Sequence, residues 1–143
     1  MTSPLIERLG NEFGYPTLGR ETIGPFLSGE GARVLFITGD PEKQSHTNDV
    51  AVVLPEIVKA FGGRLEAGVL DRDLEPEVMP VLGVLMLPAL AFLRDGRMLG
   101  FLSRMQDWDV YLEKVAEFLH SEGQALPAFE LKGGTAAGKA GAS

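Results

Sequence analysis

The 143-residue sequence contains no cysteine, and this absence excludes several kinds of chemistry. Without a thiol the chain forms no disulfide, offers no thiolate nucleophile and cannot perform dithiol redox chemistry. Histidine is nearly absent too, because only His46 and His120 occur and they lie far apart in the sequence. Zinc sites usually need three or four clustered nitrogen or sulfur ligands, so we expect neither a metal nor a cofactor.

Long apolar runs are also missing from the sequence. The longest, VLMLPALAFL at residues 84–93, is about half of the roughly 20 residues that a membrane-spanning helix needs. The first residues include Glu7 and Glu12 and show no basic leader before an apolar core, so we expect no signal peptide and a cytoplasmic protein. The net charge of −7 disfavours nucleic acid as a partner and favours a cationic one.

Helical and strand patterns alternate along the chain. A strand–helix–strand unit forces a parallel strand pair and a hairpin adds antiparallel strands, so the pattern predicts an α/β sandwich of three layers, with a mixed sheet covered by helices on both faces. The length suits one domain, residues 1–128, followed by a tail at 129–143 whose small residues predict flexibility. The predicted elements are a helix capped by Ser3 and ending at Gly14, a strand at 33–38, a helix at 50–61, a strand at 64–71, a short helix at 75–83, hairpin strands at 88–94 and 97–102, and a helix capped by Asp107 and ending near Gly123.

Two prolines indicate where a predicted strand begins and where a predicted helix bends. Pro88 has no N–H to donate to a neighbouring strand, so it is expected where a strand begins. Pro55 falls inside the predicted helix at 50–61, where it should remove one backbone hydrogen bond and bend the axis. The Asp95–Gly96 pair between two apolar runs predicts the tight turn of a hairpin.

The stretch GVLMLPALAFLRDGR, residues 83–97, resembles a segment of the thioredoxin fold in which a glycine, four residues and a cis-proline precede an apolar strand and a tight turn. The resemblance extends over residues 30–121, and Pro55 matches the proline that bends the active-site helix of thioredoxins. It implies that the Leu87–Pro88 bond is cis and faces the N-terminus of the helix that follows residue 47. It also puts Thr47 and Val50 where the two redox cysteines would be, so redox activity is not expected.

Three further stretches resemble the HupG/HyaE hydrogenase expression proteins: TGDPEKQSHTNDVAVVLPEIVKAF at 38–61, PLIERLGNEFGYPTL at 4–18 and LDRDLEPE at 70–77. This resemblance implies a cytoplasmic chaperone in the maturation of nickel–iron hydrogenase. Such a protein is expected to hold the small-subunit precursor, which has a twin-arginine signal peptide, and to meet other hydrogenase maturation proteins.

An acidic segment is the first candidate for the partner-binding site. Asp71, Asp73, Glu75 and Glu77 stand against a single arginine in DRDLEPE. Carboxylates bind guanidinium groups bidentately, so an acidic face can attract and hold an arginine pair. Alternatively, these are solvated charges that stabilise the start of a helix.

Leu87 and Pro88 are the second candidate, because backbone groups beside a cis-proline can accept an extended peptide as an added strand. We rank them above the methionines, for which core filling is the commoner role although a flexible thioether adapts to varied partners. The methionines of this half of the chain are Met79, Met86, Met98 and Met105.

The loop that replaces the redox site offers the third set of candidate partner-binding residues. Asp40, Thr47, Asn48 and Asp49 could present polar groups beside Pro88, although each aspartate and asparagine is equally suited to a turn or a helix cap.

Two alternative functions remain. The chain could be a generic thioredoxin-like interaction module without catalytic activity, or a glutathione-using enzyme of the same fold. The enzyme needs a Ser, Cys or Tyr near the helix N-terminus, and Ser45 and Thr47 are poor substitutes. Ser45 and His46 are adjacent in the chain, and neighbours rarely form a nucleophile and base within reach, so we expect no catalytic residue.

Overall fold

A computed structural model of the protein describes residues 3–127, so the predicted tail at 129–143 lies outside the described residues. A six-stranded sheet forms the middle layer. The elements are α1 (Pro4–Asn11), β1 (Thr17–Leu18), α2 (Ile23–Ser28), β2 (Ala32–Ile37), α3 (Thr47–Ala60), β3 (Glu66–Leu70), a 3-10 turn (Arg72–Leu74), α4 (Glu75–Leu82), β4 (Ala89–Arg94), β5 (Arg97–Ser103), α5 (Trp108–His120) and β6 (Gln124–Ala125).

The sheet is mixed, as predicted, with strand order β1-β3-β2-β4-β5-β6. Strands β1, β3 and β2 run parallel, whereas β4, β5 and β6 pair antiparallel. One face packs against α1, α3 and α5, with Leu9, Leu54 and Tyr111 in its core. The other face packs against α2 and α4 through Ile23 and Val78. The predicted three-layer α/β architecture is confirmed.

Local signals in the sequence account for several element ends. The Ser3 hydroxyl accepts a hydrogen bond from the Ile6 N–H at 3.2 Å and so caps α1. Gly83 ends α4 with a φ of +76°, a left-handed conformation that suits glycine. Asp95 and Gly96 both have positive φ between β4 and β5, as the predicted tight turn requires. The Leu87–Pro88 bond is cis, which confirms the prediction.

Other details differ from the sequence prediction. Helix α3 begins at Thr47 rather than Val50, because its first residues are polar and add nothing to the apolar period. Asp107 stands at the N-cap of α5, yet its side chain makes no capping hydrogen bond. Strands β1 and β6 and helix α2 were not predicted, since two to six residues are too few to show a period. Pro55 lies buried inside α3, and the bend there stays a prediction.

Candidate functional site

The predicted site residues gather at one end of the sheet, where β2 and β3 finish and β4 begins; we call it the proline end. The opposite end, which holds the Asp95–Gly96 turn, is the turn end. The pairing of Ala32 with Arg94 and of Ile37 with Ala89 fixes this arrangement, because it sets the start of β2 at the turn end and its finish beside Pro88.

Residues 84–88, here called the proline loop, are fixed from two sides. A Cβ atom added to Gly39 would lie 3.2 Å from the Cβ of Leu87, so the β2–α3 loop and the proline loop are in direct contact. From the other side the Ser103 hydroxyl donates to the Met86 carbonyl at 3.0 Å, and the Arg104 N–H donates to the Pro88 carbonyl at 2.6 Å. The loop is therefore bonded to the end of β5 on one side and packed against the β2–α3 loop on the other.

The outer surface of the proline loop is apolar, but Leu87 and Pro88 provide little of it. Pro88 is buried, and Leu87 is half-buried against the core on the α2 and α4 side. Leu85 is 87% exposed and Met86 44% exposed, so these two side chains supply the apolar contact area. Within residues 3–127 no other main-chain group bonds to the N–H or carbonyl of Leu87. The backbone is therefore available for an added strand, and sequence reasoning missed Leu85.

The two positions that match redox cysteines lie inside the protein. Thr47 and Val50 are completely buried, on the first turn of α3. The Thr47 hydroxyl donates to the Thr38 carbonyl at 2.7 Å and so ties the start of α3 to the end of β2. Thr47 therefore supports the site from within and does not belong to its surface.

The next two residues of α3 differ in exposure. Asn48 accepts a hydrogen bond from the Ser3 hydroxyl at 2.6 Å, which joins the start of α1 to the start of α3. Asp49 is exposed, and its Oδ2 lies 3.6 Å from Nδ1 of His46. His46 thus lies beside Asp49 at the start of α3. Of this set, Asp49 presents a carboxylate to solvent.

Asp40 is held within the β2–α3 loop. Its Oδ1 accepts a hydrogen bond from the Glu42 N–H at 2.9 Å, which is the local bond of a turn. Its Oδ2 lies 3.8 Å from the guanidinium of Arg72, on the neighbouring loop. Arg72 therefore balances part of the charge of Asp40 in a partly exposed ion pair between the two loops.

Glu75 is buried, with 9% of its surface exposed. Its Oε2 accepts a hydrogen bond from the Gly39 N–H at 2.9 Å, so the first residue of α4 anchors the β2–α3 loop. Burial raises the pKa of this carboxyl, while the Gly39 bond and the charge of Arg72 oppose the rise. Glu75 therefore holds the β2–α3 loop in place from the start of α4.

The other three acids of the predicted segment have different environments. Glu77 forms an ion pair with Arg20 at 3.0 Å. Asp71 accepts a hydrogen bond from the Asp73 N–H at 3.0 Å and caps the 3-10 turn, whereas the Asp73 side chain is exposed. The predicted acidic face is thus smaller than the sequence suggests, and Asp73 is its most exposed member.

A cleft of about 770 Å³ begins beside Asp73, between α1 and the carboxyl ends of β1 and β3. Glu7 on α1 adds a third carboxylate, which sequence reasoning missed because α1 and the 3-10 turn are far apart in the chain. Burial raises the pKa of the Tyr15 phenol in its wall. We call this feature the acidic cleft, and its polar lining is Glu7, Asn11, Tyr15, Thr17, Asp71 and Asp73, with Arg72 and Thr38.

Across residues 3–127, no group of three or more histidine or acidic residues is arranged to hold a metal ion. None of the helices in that range has the length and apolar character needed to cross a membrane.

Comparison with known sequences shows which family this chain resembles. The sequence model of the family described as Hydrogenase-1 expression protein HyaE matches residues 5–111. The hydrogenase expression/formation protein HupG of Rhodobacter capsulatus is 37% identical over 123 residues, covering 85% of this chain and 89% of the relative. The hydrogenase expression/formation protein HoxO of Azotobacter vinelandii is 39% identical over 127 residues, covering 89% and 85%.

Solved structures give a consistent result. The chain is similar to the crystal structure of a hydrogenase expression/formation protein hupG from Rhodopseudomonas palustris CGA009, with a TM-score of 0.51 and 35% identity over 74% of this chain and 95% of that chain. It is also similar to reduced desulfothioredoxin from Desulfovibrio vulgaris Hildenborough, with a TM-score of 0.59 and 20% identity over 71% and 95%. The second likeness concerns the fold alone, and the thioredoxin-like fold expected from the sequence is confirmed.

Proposed function

Because the chain belongs to the HyaE family of hydrogenase expression proteins, we propose that it is a cytoplasmic chaperone that binds the precursor of a nickel–iron hydrogenase small subunit through its twin-arginine signal peptide. Family membership supports a role in hydrogenase maturation. The precursor, the signal peptide and the compartment are the finer parts of the proposal.

One observation supports this proposal most strongly: an exposed apolar loop and an acidic cleft lie at the same end of the sheet. A signal peptide combines a basic region with an apolar segment of about 7–15 residues. Leu85 and Met86 offer apolar area to the segment, and the backbone of Leu87 can pair with it as a strand. Asp73 and Glu7 offer carboxylates to the arginines.

The proposal includes no redox step and no catalytic residue. The chain has no cysteine, and Thr47 and Val50 are completely buried where a dithiol would be exposed in part. A thiolate is required to attack a disulfide, so purified protein should not reduce insulin in the presence of a reductant. A turnover above that of the reductant alone would contradict this part of the proposal.

Calorimetry with a synthetic small-subunit signal peptide tests the proposal. Exposed ion pairs contribute about 0.2–1 kcal/mol each and are screened over about 8 Å at physiological ionic strength. The double variant Glu7→Gln, Asp73→Asn should therefore raise Kd about two- to tenfold at low salt, and the difference should fade as salt rises. Glu113→Gln is the matched control, since Glu113 is an exposed acid on α5.

The apolar contribution should respond differently to salt. Leu85→Ser should raise Kd about tenfold or more at every salt concentration, because burial of an apolar side chain contributes about 1.5–3 kcal/mol and salt does not screen it. If the parent protein gives no saturable heat with the peptide, the proposed function is wrong.

Two alternatives have their own outcomes in the same series. A generic interaction module should bind a peptide whose arginine pair is replaced by alanines as well as it binds the natural one. A glutathione-using enzyme should give a binding isotherm with glutathione, which the buried Thr47 hydroxyl does not favour, because it donates to Thr38 instead of facing solvent.

A further inference from the structure

The proline end is divided into two chemically different sides. Strand order β3-β2-β4-β5 places the loop after β3 on one side of the β2–α3 loop and the proline loop on the other. Gly39 marks the boundary, because its N–H is bonded to Glu75 while a Cβ atom added to it would lie 3.2 Å from the Cβ of Leu87. Any extended segment that contacts both sides must therefore cross the β2–α3 loop.

The β3 side is acidic. Glu7, Asp71 and Asp73 line the acidic cleft there. Within residues 3–127, the carboxylates of Glu7 and Asp73 form no hydrogen bond or ion pair, whereas Arg72 lies 3.8 Å from Asp40. The outward charge of this side is therefore negative.

The β4 side is apolar and has a cation next to it. Leu85 and Met86 supply its exposed surface. Arg104 follows at the end of β5, where its N–H bonds to the carbonyl of Pro88 and its side chain is exposed. A guanidinium brought to this side would be near another guanidinium, which disfavours it. The nearest acids in sequence are Asp107 and Asp109, at the start of α5.

We infer that the two sides fix the direction in which the partner's segment lies across the proline end. This inference rests on the proposed function. The arginine pair lies over the acidic cleft on the β3 side, and the apolar segment that follows it in the peptide lies on Leu85 and Met86. The opposite direction would set the arginines beside Arg104 and the apolar residues over three carboxylates.

The dimensions of the sheet allow this arrangement. Strands β3 and β4 both neighbour β2, so they are two strand spacings, or about 10 Å, apart. About three extended residues span that distance, at roughly 3.3 Å per residue. One short stretch between the arginine pair and the apolar segment is therefore long enough to cross the β2–α3 loop.

The absence of cysteine makes the direction measurable, because a single introduced cysteine is the only thiol in the protein. Asn11→Cys places a thiol at the exposed wall of the acidic cleft, and Met86→Cys places one on the proline loop. The probes are two synthetic peptides, each with an arginine pair, a crossing stretch of about three polar residues and then about ten leucine and alanine residues. One has its cysteine before the arginines and the other has it after the apolar segment.

Thiol–disulfide exchange in a buffer of reduced and oxidised glutathione, in which the oxidised form accepts the two electrons, then reports proximity through effective concentration. Asn11→Cys should form the mixed disulfide with the first peptide about tenfold faster than with the second, and Met86→Cys should show the reverse preference. Glu113→Cys on α5 is the control and should react with both peptides at the same low rate.

Each outcome has a defined meaning. The inverted preference, or equal rates at both positions, overturns the inferred direction and leaves the proposed function standing if the peptides still bind in calorimetry. Absence of saturable binding by both peptides overturns the inference together with the proposed function.

Discussion

The two ends of the sheet use charged side chains in opposite ways. At the turn end, the hairpin arginines donate to backbone carbonyls near the end of α5, and Asp95 accepts a hydrogen bond from the Gly31 N–H at 2.9 Å. At the proline end, Thr47, Glu75 and Asp40 form an inner layer that is bonded within the protein, while Asp73 and Leu85 form an outer layer open to solvent. The difference separates charge that closes the fold from charge that is available to a partner.

At the turn end, two arginines of the hairpin bond to the end of the last helix. Arg94 donates to the carbonyls of Leu119, at 2.9 Å, and Ser121. Arg97 donates to the carbonyls of Glu122, at 2.7 Å, and Gly123. A helix leaves its last carbonyls without internal partners, and these two arginines bind the carbonyls at and just beyond the end of α5. The hairpin and the final helix are thereby joined.

Arg94→Ala should have the largest effect on stability. A hydrogen bond to a charged group contributes about 1.5–3 kcal/mol, and Arg94 makes two, so the free energy of unfolding should fall by about 3–6 kcal/mol in urea titration. Arg104→Ala is the matched control at the proline end and should change it by less than about 0.5 kcal/mol. Equal losses from both substitutions would remove the contrast between the two ends.

Thr47→Val tests the inner layer of the proline end. Valine keeps the shape of threonine but leaves the buried Thr38 carbonyl without its donor, so the free energy of unfolding should fall by about 1–2 kcal/mol. Ser45→Ala, two residues earlier and exposed, should leave it within about 0.5 kcal/mol. If the valine variant were as stable as the parent, the inner layer would not be fixed by this bond.

Glu75→Gln tests the same inner layer through the pH dependence of the free energy of unfolding. Because burial raises the pKa of Glu75 above its ordinary value of 4.5, the folded protein holds this proton more tightly than the unfolded chain does. The stability that the protonated side chain contributes is therefore lost as the pH rises through the window between the ordinary and the raised pKa. Glutamine has no such charge, so the stability of the variant relative to the parent should increase with pH across the window. Urea titrations at a series of pH values measure the difference, and a constant difference would contradict the assignment.

Leu85→Ser should have the smallest effect on stability. The side chain is already 87% exposed, so the free energy of unfolding should change by less than about 0.5 kcal/mol even though peptide binding weakens. Val84→Ala, the adjacent buried residue, should lower it by at least about 1 kcal/mol. A large loss from the serine variant would show that Leu85 supports the fold and is not available to a partner.

The sequence predicted the fold more fully than it predicted the site. Periodicity, Ser3 and the Asp95–Gly96 turn are local signals, and the structure confirms each of them. Exposure is not local. DRDLEPE presents four similar carboxylates, yet Glu75 is buried and Glu77 is paired with Arg20, because contacts with distant loops decide where each one lies.

The proline loop shows the same limit. Val84, Leu85 and Met86 are all apolar, and no periodic pattern distinguishes the buried residue from the two exposed ones. Glu7 joins the acidic cleft only because α1 packs beside the end of β3. Neither relation can be read from spacing along the chain.

The hydrogen bond between Gly39 and Glu75 also gives the protein a reporter of its own motion. The Gly39 amide is buried under α4, so it can exchange its hydrogen for deuterium only when the β2–α3 loop lifts away. Its exchange rate therefore measures how often the boundary between the two sides of the proline end opens. A partner that lies across this loop should slow that exchange, whereas amides at the turn end should keep their rates.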